Sequence, residues 1–142
     1  YTYWKRSASY PSMITFDGVS REICSARRIR TNTPLQALAV LNDSAYVDIA
    51  RHLAARIQNK AGADVSKQIS AGYSLATNRE IDERKKTALI KLYNRAFDKF
   101  KTDSAGPCNM NGNTGYPTDA AVAALTVVAN AILNLDEVIV KN

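Results

Sequence analysis

One repeated pattern limits what this chain can fold into. A short polar cap is followed by apolar residues at three- and four-residue spacing, five times between Thr33 and Ile132. That spacing places apolar side chains along one face of a helix. The first unit is TNTPLQ. The Thr33 hydroxyl can accept from an orphan backbone N–H, Pro34 suits the first helical position because it has no N–H to lose, and Gln36 can reach back to close a capping box. The expected helix runs from Pro34 to about Leu41, with Leu35, Leu38 and Leu41 on one face.

Four more helices follow by the same logic. Asn42-Asp43 breaks the first, and Asp43 or Ser44 caps the second, whose stripe is Tyr46, Ile49, Ala50, Leu53 and Ile57. It fades near Lys60, where Gly62 supplies a stop. Asp64 caps the third, with Val65, Ile69, Tyr73 and Ala76 aligned. Asp82 caps the fourth, with Leu89, Leu92, Tyr93, Ala96, Phe97 and Phe100 inward. Thr118 and Asp119 open the fifth, striped by Val122, Leu125, Val128, Ala129 and Ile132. The expected fold is all-α, a bundle of about five helices over residues 34–142. Residues 1–33 show no sustained helical period. They are expected to form an irregular arm of extended segments and turns laid over the bundle, with Trp4 and Phe16 as anchors. SAGPCNMNGNTGYPT, between the last two helices, reads as a long surface loop.

A chain of 142 residues fits a single domain, and 46% hydrophobic against 23% charged residues is a globular composition. No apolar run approaches the roughly 20 residues that span a bilayer. The abrupt start at YTYWKRSASY, without Met, reads as a cut from a longer protein. The net charge of +6 is uneven. Tyr1–Thr33 holds six basic and two acidic residues, Asn78–Thr102 eight and four, and Asp103–Asn142 one and four. Such a balance permits anionic partners without naming one.

Each candidate for chemistry has a plainer structural reading. His52, the one histidine, stands on a helix with no nucleophile signature near it and reads as a surface residue. Asp82-Glu83 and Asp136-Glu137 are neighbours that point different ways, so neither is a carboxylate dyad. The loop glycines lack the Lys-Ser/Thr of a phosphate-binding loop. Cys24 and Cys108 form no CxxC, and with one His they cannot complete a four-ligand zinc site. They are two free thiols, or a disulfide if the protein is exported. ERKKTALIKLYNRAFDKFK carries its cations on the polar face of the fourth helix, which suits nucleic acid, an anionic membrane or simply water. Arg21, Arg27, Arg28 and Arg30 precede a helix start. They bind an anion by guanidinium forks, or they pair with Asp17, Glu22, Asp43 or the acidic C-terminus and lock the arm.

MITFDGVSREICSARRIRTNTPLQALAVLNDSAYVDIARHLAARI resembles the core motif of the PSD-type domain of unknown function, and ILNLDEVIVK resembles its closing signature. Ser44 stands where that family often has Pro, and Val138 where it often has an aromatic residue. The resemblance implies a C-terminal domain of a large exported protein, periplasmic or at the cell surface, often joined to cytochrome c-type domains and linked to polysaccharide use. It carries over no catalytic residue, no metal and no cofactor. It implies a non-catalytic structural or interaction module whose partners are other domains of the parent chain, with nucleic acid disfavoured. An anionic-carbohydrate site on the arginines is the alternative. The exported context brings a Cys24–Cys108 disulfide level with the free thiols.

Overall fold

The computed structural model describes residues 11–19, 31, 33–103, 106–111 and 119–139. They form helices α1 (Pro11–Thr15), α2 (Pro34–Asn42), α3 (Ser44–Ala61), α4 (Val65–Thr77), α5 (Glu83–Thr102), α6 (Gly106–Asn111), α7 (Ala120–Leu133) and α8 (Asp136–Ile139). No strand occurs among the described residues, and the fold is an all-α bundle. The five long helices are those the apolar spacing predicts.

The caps explain where each one starts. Thr33 Oγ1 accepts from the Gln36 N–H while Gln36 Oε1 accepts from the Thr33 N–H, a complete capping box. Asp43 ends α2 and begins α3, its carboxylate accepting from the Ala45 N–H at 2.9 Å. Asp64 and Asp119 cap α4 and α7 in the same way. Asp82 occupies the cap position of α5, but its side chain makes no cap hydrogen bond, contrary to expectation. Gly62 stops α3 at φ 66°, a conformation glycine takes without strain.

The core is built around α7. Ala123, Ala124, Thr126, Val128, Ala129 and Ile132 are fully buried on it, and Val122 and Leu125 are nearly so. A helix apolar on almost every side has neighbours on almost every side. Here α3 and α5 are its main partners, and α2, α4, α6 and α8 also pack on it. Ala50, Ala54 and Ile57 from α3, Ile69 from α4, and Leu89 and Tyr93 from α5 complete the buried cluster. Gly72 lets α4 come close, because a Cβ there would lie 2.6 Å from Ile57 Cδ1 and 3.3 Å from Ile132 Cδ1.

Three features depart from the sequence reading. Pro11–Thr15 is a helical turn inside the segment expected to be irregular. It closes in a Schellman motif, with Gly18 N–H donating to Met13 O and Asp17 N–H to Ile14 O. Gly106–Asn111 is helical inside the segment read as a loop. Elements of five and six residues are too short to show a period. The third departure is the orientation of α2. Leu35, Leu38 and Leu41 lie on one face, as expected, but that face points outward at 60%, 58% and 44% exposure. The buried residues of α2 are Gln36 and Val40. Ile49, expected in the α3 stripe, is also exposed.

This packing gives a sharp contrast in mutational cost. Ile132→Ala should lower unfolding free energy by about 2–5 kcal/mol. Leu35→Ala and Leu38→Ala should each change it by no more than about 0.5 kcal/mol. Urea unfolding of the 142-residue chain, followed by circular dichroism, measures both.

Candidate functional site

The densest polar construction lies where α1 meets α2. Gln36 is 1% exposed, so its amide needs partners inside the protein. Oε1 accepts from the Thr33 N–H at 3.1 Å. Nε2 donates to Thr15 O at 2.8 Å, to Thr31 Oγ1 at 3.2 Å and, at the long limit of 3.4 Å, to Asp17 Oδ2. The reverse amide orientation would set Oε1 against the Thr15 carbonyl, so the network defines it. Thr31 Oγ1 passes the chain on, donating to Asp17 Oδ1 at 2.6 Å, and the Thr31 N–H donates to Asp17 Oδ2 at 2.7 Å. Hydrogen bonds to a carboxylate are the strong ones.

Asp17 holds this position at φ 58°, in the left-handed region where glycine is normal and most L residues are strained. Asp tolerates it better than most, and the carboxylate here fastens Thr31 and Gln36 at once. The Phe16 ring lies 5.7 Å from that of Tyr46 on α3, so the expected Phe16 anchor is present. Trp4, the other expected anchor, lies outside the described residues. So do Arg21, Arg27, Arg28, Arg30 and Cys24. Cys108 falls in α6, with its side chain outside what is described. Of the sequence-predicted set, Thr33, Pro34 and Gln36 therefore stand where the cap reading put them. His52 is exposed on α3, as expected.

A second clamp closes the other end of the chain. Glu137 of α8 accepts from Lys85 Nζ of α5 and from the Tyr73 hydroxyl of α4, the latter at 3.4 Å. Lys85 also lies 5.9 Å from the Tyr73 ring centroid, within cation–π range. The sequence reading placed Glu137 in the terminal signature and missed this role. Its partners are 52 and 64 residues away, beyond what a local pattern reveals. Asn130 adds a further tie, its Nδ2 donating to Leu41 O at the end of α2.

On the outside, the row Leu35, Leu38, Leu41 runs along α2, with Ile14 on α1 and Ile49 on α3 also exposed. Both flanking helices pack on α2. No group of three or more metal-ligating side chains converges among the described residues. No described helix is long and apolar enough to cross a membrane.

Removing the hub should be costly. Gln36→Ala deletes half of a capping box and three donor contacts, and should lower stability by about 2–3 kcal/mol. A chemical-denaturation curve reads this directly.

Alkaline pH should act through the clamps. The hydrogen bond that Lys85 donates to Glu137 raises the Lys85 pKa above its ordinary 10.5, with burial opposing and charge interactions with Tyr73, Glu137 and Asp82 assisting. Burial raises the hydroxyls of Tyr46 and Tyr93 above 10.0, aided by Asp43 and Asp119 respectively. All three groups hold their protons more tightly when folded. Their stabilisation is complete below the unfolded values and lost as pH rises through the folded ones. The unfolding midpoint should therefore fall as pH rises past the ordinary values of 10.0 and 10.5, and fall less steeply in Glu137→Gln.

No curated protein and no solved structure matches the chain. A family model described as PSD1, protein of unknown function (DUF1553), matches residues 1–93, a span that contains α1, the Gln36 hub and the exposed leucines. The terminal ILNLDEVIVK lies beyond that match. With the model covering well over half of its length, the chain belongs to the PSD1 family of proteins of unknown function.

Proposed function

We propose that this chain is a non-catalytic interaction module of a larger exported protein, and that its α1–α2 face docks onto a neighbouring domain of the same polypeptide. The observation that carries this reading is the inverted amphipathicity of α2. Apart from Gln36 and Asn42, every residue of α2 is apolar, and it buries Gln36 while exposing three leucines. A helix apolar on all sides is at home when covered on all sides. Scattered exposed leucines need no explanation, but a row along one helix, flanked by Ile14 and Ile49, is a surface prepared for a partner.

The polar groups support a structural role. Asp17, Thr31, Thr33 and Gln36 are committed to joining the arm to α2, and Glu137 to joining α8 to α4 and α5. The exported, periplasmic or cell-surface setting follows from the family resemblance and is part of the same proposal. No described residue favours the arginine-based carbohydrate reading over this one.

The test is amide hydrogen exchange across Leu35–Leu41, in the 142-residue chain and in the full parent polypeptide. Docking predicts exchange slower by about tenfold or more in the parent. Equal rates in the two would remove the reading.

A further inference from the structure

The fourth predicted helix, α5, carries a feature that neither the core nor the clamps use. Arg84, Lys91, Arg95 and Lys99 are all exposed. At 100° per residue they fall within a stripe about 80° wide. Lys91, Arg95 and Lys99 stand four residues apart, so their Cα atoms follow one another every ~6 Å. From Arg84 to Lys99 the row is about 22 Å long and nearly straight. Of the other α5 cations, Lys85 is engaged with Glu137 and Lys86 with Glu83, and Lys101 lies off the row. None of the four in the row forms an ion pair among the described residues. Two acidic residues border the row, Asp98 and the C-cap residue Asp103, four positions beyond Lys99, and neither forms an ion pair with the row among the described residues.

A solvated helix face normally interleaves charges of opposite sign at i, i+4, because like charges at that spacing repel. This row sets Lys91–Arg95 and Arg95–Lys99 as two like-charged pairs, and no carboxylate among the described residues forms an ion pair with them. An anionic partner would turn that repulsion into attraction.

The rest of the helix narrows the partner's class. The α5 aromatics Tyr93, Phe97 and Phe100 belong to the core or pack against it, leaving no α5 ring beside the row for base stacking. Leu89, Ile90 and Leu92 are held there too, leaving no apolar edge to enter a bilayer. A straight single row suits one extended strand better than the two curving backbones of a duplex. We infer that the Arg84–Lys99 face of α5 binds an extended polysaccharide bearing sulfate or carboxylate groups.

Heparin serves as the sulfated probe and polygalacturonate as the carboxylated one, each titrated into the 142-residue chain at rising NaCl. The row variant is Lys91→Gln/Arg95→Gln/Lys99→Gln, which relieves repulsion and keeps good helix formers. A charge control is Arg56→Gln/Lys60→Gln on α3, both exposed. A third variant, Arg27→Gln/Arg28→Gln, tests the arm. The inference predicts salt-sensitive binding of at least one probe, about tenfold weaker in the row variant and little changed in the control and arm variants. The probe that binds identifies the anionic group. Indifference of the wild type to both probes overturns the inference, as does a loss confined to the arm variant or equal loss in all three. Tighter row-dependent binding of duplex DNA or phosphatidylserine vesicles would also overturn it, by assigning the row to a different class of partner.

Discussion

A single buried amide governs how the first half of this structure is assembled. Gln36 has almost no contact with water, and among the described residues its donors and acceptor are met by Thr15, Asp17, Thr31 and Thr33. Meeting them requires α2 to turn its one interior polar residue toward the arm. Once that face points inward, Leu35 and Leu38 have no option but the outside. Burial of two leucines could have offered about 3–6 kcal/mol of hydrophobic stabilisation. The fold forgoes it in this chain, and that cost is the physical reason to read the outer face as one completed by another surface.

The second half depends on α7. Its alanines and valines keep its girth small, so that α3 and α5 close on it from different sides and α4 joins through Gly72. The Glu137 clamp then fastens the short α8 across α4 and α5. With its hydrophobic cluster on α3, α4, α5 and α7, the bundle does not need the α2 leucines for its core. It can present them instead.

Much of this was legible in order of residues, and the limits are instructive. The TNTPLQ cap was readable because all its partners lie within four positions. The stripes of the longer helices were readable because burial on one side imposes a period. The orientation of α2 was not, because a helix apolar nearly all round has no polar face to mark outside. Leucine spacing alone pointed to the wrong side, whereas the capping-box Gln36 at N3 was the clue to the buried one. The Asp17–Thr31 bonds and the Glu137 clamp join positions 14 to 64 apart, where no local rule applies. Of the candidate site, the cap was legible and the exposed row was not. The arginine cluster lies outside the described residues and stays an alternative drawn from sequence.

The claim at the centre is that Asp17 and Gln36 act as one polar joint between the arm and α2. A double-mutant cycle on stability, using Asp17→Ala, Gln36→Ala and the pair, isolates their coupling. The account predicts a coupling of about 1 kcal/mol or more. Additive losses, within ~0.3 kcal/mol, would mean the two residues act separately and would contradict it.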